Sequence, residues 1–148
     1  MFEELKTIEL SGKVYPVRCD LVVLEKIQNE FGSLDAFEKG IITWEPELDE
    51  KGEKVKDTKG NVVNKGKLPD MQTLNTALCL MVNEGEEIQA EKEDRSPFLL
   101  SRDEIARRVD ISPTKLALLL HDEFYRCFNP KNEKTTQDQT KQKKEINS

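Results

Sequence analysis

The hydrophobic positions near the N-terminus alternate with polar ones, with a period of two. The alternation covers residues 7–19 and breaks at Ser11-Gly12-Lys13, so the pattern predicts a β-hairpin with its turn there. Pro16 has no amide hydrogen, so its place in the second strand indicates an edge of the sheet. The hairpin positions that we expect to be buried are Ile8, Leu10, Tyr15 and Val17.

After residue 20 the apolar positions change to a helical period. Three of them share one helical face and predict a helix over 21–31; they are Leu24, Ile27 and Phe31. Asp20 is a suitable N-cap for this helix, and Gly32 can end it because glycine adopts positive φ without steric cost. A short helix is predicted next, over 34–39.

The middle of the chain predicts one long helix and then an acidic loop. The helix covers about 71–84, begins after Pro69-Asp70 and ends at Gly85. Its apolar stripe consists of Leu74, Leu78 and Met81. Residues 86–96 are acidic and have no hydrophobic period, so we expect them to form a loop.

Two strong start signals predict two more helices near the C-terminus. Ser101-Arg102-Asp103-Glu104 is a capping box, which predicts a helix over 102–109. Ser112-Pro113 places serine at the N-cap and proline at the first helical position of a last helix, which ends near residue 128. The apolar stripe of that helix is Leu116, Leu120 and Phe124.

These elements predict the fold class and the organisation of the chain. We expect an α+β protein in which an N-terminal β-hairpin is followed by a small bundle of four or five α-helices, all in one domain over 1–128. Residues 45–69 form a charged insertion that we expect to be flexible, 86–96 the acidic loop, and 129–148 a polar, disordered tail. The sequence suggests no internal repeat.

The composition excludes several classes of protein. The 148 residues are 36% apolar and 35% charged, with a net charge of −6. No stretch is long and apolar enough to predict a membrane span, and the acidic start Met1-Phe2-Glu3-Glu4 does not resemble a secretory signal. The negative charge disfavours a protein whose main task is binding phosphate backbones.

Residue types that carry chemistry are few and scattered. Cys19, Cys79 and Cys127 are far apart and odd in number, which indicates three free thiols in a reducing compartment. His121 is the single histidine, too few for a zinc site, and no nucleotide-binding glycine motif occurs. We therefore expect no catalytic, cofactor-binding or metal-binding residues and no enzymatic activity.

Residues 102–120 allow one alternative, a helix-turn-helix that binds DNA. Ala106, Ile111 and Ser112-Pro113 fit that motif, but Asp110 stands where glycine is usual. Leu118 occupies part of the face that would contact bases. Residues 101–128 contain five basic and five acidic side chains, so attraction to phosphates would be weak.

The run of apolar residues at 116–120 has two possible interpretations. It covers most of the circumference of a helix, so that helix is either fully buried or presents one side to a partner helix. On the second interpretation, the candidate partner-binding residues are Leu78, Met81, Leu116, Leu118, Leu119, Phe124 and Phe128. Core packing is the alternative role for each of them.

Two parts of the chain, residues 5–40 and, more loosely, 70–128, share their order of elements with a known family. The stretches are Thr7–Arg18, Asp20-Leu21, Glu30–Leu34, Leu74–Val82, Asn83-Glu84-Gly85 and Ser101–Asp110, followed by the long last helix. They resemble the tail assembly chaperones of long-tailed bacteriophages, in which a Gly-Lys hairpin with an aromatic-Pro return strand leads into a helix closed by Phe or Leu and Gly-Ser. The insertion at 45–69 departs from the family's compact pattern.

The resemblance implies a non-enzymatic role in the cytoplasm of an infected or lysogenic bacterium. Proteins of this family bind the long, apolar tape-measure protein and keep it soluble, often as oligomers, and are absent from the mature virion. Many are made in two lengths by frameshifting, and the longer form recruits tail-tube subunits; this chain would correspond to the short form. The family has no fixed site motif, so its binding residues cannot be transferred individually.

Overall fold

The computed structural model describes residues 4–129, which form a hairpin, five helices and a second strand pair. The hairpin strands are β1 (Lys6–Leu10) and β2 (Lys13–Val17), and the second pair is β3 (Trp44–Pro46) with β4 (Asn64–Gly66). The helices are α1 (Leu21–Phe31), α2 (Leu34–Ile41), α3 (Met71–Lys92), α4 (Arg102–Ala106) and α5 (Pro113–Arg126). The predicted α+β class, with an N-terminal hairpin before five helices, is confirmed. The predicted tail lies outside the described residues from position 130 onward.

A single core joins the hairpin to all five helices. The four hairpin residues predicted to be buried are in it, and the central helix α3 contributes most of the rest. The largest side chains that are fully buried include Phe37, Ile27, Leu78, Met81, Leu116 and Leu120. Each aliphatic side chain of this size contributes roughly 1.5–3 kcal/mol through removal from water, so the core determines how the helices pack.

Helix α3 continues past Gly85, so the predicted end of the helix at residue 84 is wrong. Gly85 lies inside the helix, and the carbonyl group of Pro16 in β2 approaches it closely. A Cβ at this position would overlap the strand, so the residue must be glycine. Next to this contact, the amide of Arg18 donates to the Met81 carbonyl over 3.0 Å. The glycine therefore permits a close approach of strand and helix, which the sequence pattern alone does not distinguish from a helix end.

The acidic loop predicted at 86–96 is helical as far as Lys92, so that prediction is wrong for most of its length. Ile88 and Ala90 are buried in this last part of α3. The Glu86 carboxylate accepts hydrogen bonds from Arg95 at 2.6 Å and from the Phe98 amide at 2.8 Å. These contacts hold the chain after the helix against α3.

The charged insertion, expected to be flexible, has a regular backbone structure. β3 and β4 pair antiparallel, with Trp44 opposite Gly66. Asp49 Oδ1 accepts from the amides of Lys51 and Glu53, and eight residues later Asp57 Oδ1 accepts from Lys59 and Asn61, all within 2.9–3.0 Å. Gly52 and Gly60 supply positive φ values of 79° and 85° in these turns. The expectation of no repeat is therefore wrong: one turn occurs twice with a period of eight.

The two C-terminal helices begin where the capping signals predict. Ser101 and Glu104 form both hydrogen bonds of the capping box, and Ser112 caps α5 with Pro113 at its first position. Helix α4 ends at Ala106, three residues earlier than predicted. Ser11 in the hairpin turn donates to the Arg108 carbonyl at 2.7 Å, which fixes the connection between α4 and α5 to the hairpin.

Candidate interaction surface

Helix α5 and the turn after it carry apolar side chains on two sides. The inner side packs into the core through Leu116, Ala117, Leu120 and Phe124. Four other large side chains are exposed: Leu118 by 52%, Leu119 by 42%, Tyr125 by 53% and Phe128 by 48%. We call these four residues the outer face of α5. Leu118 and Tyr125 are seven residues apart, so they point in nearly the same direction about 10 Å apart along the helix axis.

The structure separates the seven predicted partner-binding residues into two groups. Leu78, Met81 and Leu116 are buried core residues, so their predicted place on a partner surface is wrong; Phe124 is also a core residue, but it lines a cavity between α2 and α5. Helical spacing explains the error, because each belongs to the stripe that its helix turns toward the hydrophobic core. Leu118, Leu119 and Phe128 are exposed on the outer face. Tyr125 was missed, although its spacing of seven from Leu118 is visible in the sequence.

A buried carboxylate fixes the rotation of α5. Glu123 is 1% exposed, and its Oε2 accepts a hydrogen bond from the Cys19 amide at 2.7 Å. Arg126 pairs with the same carboxylate at 2.7 Å and donates to the Cys19 carbonyl at 2.6 Å. The group therefore ties the last two turns of α5 to the chain between β2 and α1. The sequence analysis missed this group. Only the spacing of three between Glu123 and Arg126 is visible locally, and their contact with Cys19 joins parts of the chain that are far apart in sequence.

Two of the three free thiols meet at the same place. Cys127 Sγ lies 2.8 Å from the Cys19 carbonyl oxygen, and Cys19 itself is fully buried. A hydrogen bond with Cys127 and burial raise the pKa of the Cys19 thiol, so this thiol stays protonated at neutral pH.

A row of aromatic rings leads from the core to the surface between α2 and α5. The ring centroids are 5.4 Å apart for Phe31 and Phe37, 5.0 Å for Phe37 and Phe124, and 5.2 Å for Phe124 and Phe128. Phe37 is buried, whereas Phe128 is half exposed. The edge-to-face contact with Phe124 holds Phe128 in place although it follows the last turn of α5.

The aromatic row borders a cavity of about 420 Å³, which we call the α2–α5 groove. Its lining consists of Leu34, Asp35, Glu38, Phe124, Tyr125, Phe128 and Asn129. Glu38 Oε2 lies 2.9 Å from His121 Nε2, which joins the two helices. The lining includes two carboxylates and no lysine or arginine. Tyr125 also borders another depression, of about 460 Å³, whose charged lining residues are Lys6, Asp122 and Arg126.

A second groove, of about 380 Å³, lies between β2 and α3. The segment after α3 forms one wall, because the Asn83 side chain bonds both the amide and the carbonyl of Leu100, at 3.0 and 2.8 Å. Phe98 on this wall is 70% exposed. Arg95 lines the groove and lowers the pKa of Glu86 through their hydrogen bonds. This groove is more polar than the outer face of α5 and has both signs of charge.

One carboxyl group away from these surfaces has an unusual pKa. Burial, followed by a hydrogen bond to Asp20, raises the pKa of Glu84 on α3 to about 7. Asp20 also caps α1 by accepting from the Val23 amide at 3.1 Å. The pair joins α1 to α3 and responds to pH in the neutral range.

Residues 4–129 offer few groups for binding metals, membranes or bases. No group of three or more histidine, cysteine or acidic side chains in that range could hold a metal ion. None of the helices there is long and apolar enough to cross a bilayer. In the first turns of α5 after Pro113, the exposed side chains are Lys115, Leu118 and Leu119, which provide one cation and no amide for contacts with bases. This part of α5 therefore offers little for sequence-specific contacts with bases.

Comparisons with protein-family models, curated proteins and solved structures found no match. The likeness to tail assembly chaperones remains a resemblance, based on the stretches quoted for it. The outer face of α5 and the two grooves are the surfaces that bear on function.

Proposed function

We propose that this protein is a non-enzymatic phage tail assembly chaperone that binds the tape-measure protein and keeps it soluble during tail morphogenesis. The observation that supports this most is the outer face of α5, whose four large side chains are each between 42% and 53% exposed. Large apolar side chains left exposed on one helix are typical of sites for other polypeptides. The resemblance identifies the tape-measure protein as the partner.

The physical chemistry of the surface suits this role. A long apolar helix aggregates in water, and covering its apolar stripe with a second apolar surface removes that driving force. The complex must itself stay soluble, and a chain with a net charge of −6 supplies charge repulsion between complexes. Binding through side chains on a rigidly held helix also costs little ordering entropy.

The proposal includes the other properties that the resemblance implies. The protein would act in the cytoplasm of the bacterial host and leave the tail before the virion matures. It would self-associate along the tape-measure protein, and a longer frameshifted form would contact the tail-tube protein.

The test is co-expression with the tape-measure protein of the same phage or prophage. We expect the native chain to raise the soluble fraction of the tape-measure protein and to co-purify with it. The double substitution L118D/L119D should abolish both effects, because it places two charges on the outer face without touching the core. L21D/V22D is the matched control, since Leu21 and Val22 are also adjacent and exposed at a helix surface.

Two results would contradict the proposal. One is an unchanged soluble fraction with no complex, and the other is full activity of L118D/L119D. Sequence-specific DNA binding that survives about 200 mM salt would instead support the helix-turn-helix alternative, because non-specific binding weakens steeply at that salt concentration.

A further inference from the structure

We infer that the α2–α5 groove receives a lysine or arginine side chain from a partner helix that lies along α5. The inference rests on the proposed function and adds the chemical identity of the bound segment. It starts from the groove's lining, in which Tyr125 and Phe128 expose about half of their surface beside the carboxylates of Asp35 and Glu38.

The lining selects for a positively charged group. The faces of aromatic rings attract cations, and a carboxylate nearby adds a direct charge–charge attraction. Asp35 and Glu38 come from consecutive turns of α2, so they flank the groove from the side opposite the rings. The Glu38 carboxylate already contacts His121 at 2.9 Å, whereas a purely apolar side chain would cover the Asp35 carboxylate without giving it a charged partner, which is unfavourable.

The outer face of α5 indicates that the cation belongs to a helix rather than to a small molecule. Leu118 and Tyr125 lie on one line along α5, about 10 Å apart. If a partner helix lies along α5 and covers Leu118 with an apolar residue, the residue seven positions further along the partner helix lies at Tyr125, beside the groove. The bound segment should accordingly contain an apolar residue and a lysine or arginine at a spacing of seven.

Charge distinguishes the two sides of Tyr125. The α2 side has Asp35 and Glu38, whereas Lys6 and Arg126 lie on the other side. The second side has one carboxylate, Asp122, beside these two cationic side chains, so it attracts a cation less than the α2 side does. The expected orientation of the partner side chain is thus toward α2.

The experiment measures binding of a labelled synthetic peptide to the full chain by fluorescence anisotropy at physiological salt. The peptide is a helix of about 20 residues with an apolar stripe and one lysine seven positions from a leucine of that stripe. Its control has the same composition, with the lysine moved to a spacing of five, about 140° around the helix. We expect the control to bind roughly tenfold more weakly.

Variants of the protein test the groove itself. D35N/E38Q removes both charges at constant shape and should weaken the first peptide roughly tenfold while leaving the control peptide unchanged. D35N alone, which keeps the Glu38–His121 contact between the helices, should weaken the first peptide in the same direction by a smaller factor. E25Q/E30Q removes two exposed charges from α1 and should have no effect. F128A tests the aromatic side and should weaken binding several-fold. Circular dichroism of each variant verifies that the fold is retained.

Three outcomes would overturn the inference. The first is equal binding of the two peptides, and the second is an equal loss of binding in D35N/E38Q and E25Q/E30Q, which would indicate non-specific attraction. The third is no peptide binding together with an altered sedimentation coefficient of D35N/E38Q, which would indicate that a second copy of the chain fills the groove.

If the peptides behave as expected but the tape-measure protein does not co-purify, the proposed function fails and the inference stands. If D35N/E38Q binds both peptides normally but L118D/L119D loses the tape-measure protein, the inference alone fails.

Discussion

The two sides of α5 have similar apolar composition but opposite consequences for the molecule. On the inner side, Leu116 and Leu120 are buried against the core, whereas Leu118 and Leu119 between them are about half exposed. The same residue type thus stabilises the fold on one side and costs solubility on the other. A leucine run is therefore not a functional signal by itself. The buried anchor at Glu123 fixes the helix rotation and so determines which leucines are exposed.

Truncating one leucine on each side of α5 should give the largest difference in the free energy of unfolding. Leu120→Ala removes a fully buried side chain and should lower the free energy of unfolding by about 3 kcal/mol. Leu118→Ala should change it by less than about 0.5 kcal/mol, because that side chain is half exposed. Urea unfolding followed by circular dichroism measures both. Equal losses would show that the outer side is also packed.

Substituting the buried carboxylate should loosen the anchor that distinguishes the two sides. Glu123→Gln removes the buried negative charge that accepts hydrogen bonds from Arg126 and from the Cys19 amide, and should cost about 2–3 kcal/mol of stability. Asp122→Asn, next to it but exposed, is the control and should have little effect. Urea unfolding of both proteins gives the comparison. A stability loss as small in E123Q as in D122N would mean that the carboxylate does not fix α5.

The smallest expected effect is on the pH dependence of stability. The pKa of Glu84 is raised to about 7, so the folded protein binds a proton that the unfolded chain releases near 4.5. The resulting stabilisation is complete below about pH 4.5 and is lost as the pH rises through about 7. Between pH 5 and pH 8, the melting temperature of the native chain should therefore fall more than that of E84Q. Identical slopes would contradict the raised pKa, and peptide binding by the outer face should be the same in both proteins at each pH.

The sequence predicted the elements well where the signal was local. The hairpin turn at Gly12, the capping box at Ser101 and the Ser112-Pro113 start are short patterns whose geometry depends on neighbouring residues only. Each was confirmed, and together they place the N-terminal β-hairpin before five helices.

The errors concern contacts between distant parts of the chain. Gly85 indicated a helix end, but its role is to admit the Pro16 carbonyl, which no local pattern reveals. The hydrogen bond between the Cys19 amide and Glu123 was not predicted for the same reason, because the two residues are far apart in the sequence. Among the candidate site residues, Leu118 and Leu119 were predicted together with Leu116, because apolar excess alone does not tell which side of α5 meets the core.

The most direct test of the central claim is hydroxyl-radical footprinting of the protein alone and in its co-purified complex with the tape-measure protein. The claim is that the outer face of α5, rather than the groove between β2 and α3, contacts the partner. We predict that oxidation of Tyr125 and Phe128 falls several-fold in the complex, while oxidation of the more exposed Phe98 is unchanged. Protection of Phe98 with unaltered oxidation of Tyr125 and Phe128 would contradict the claim.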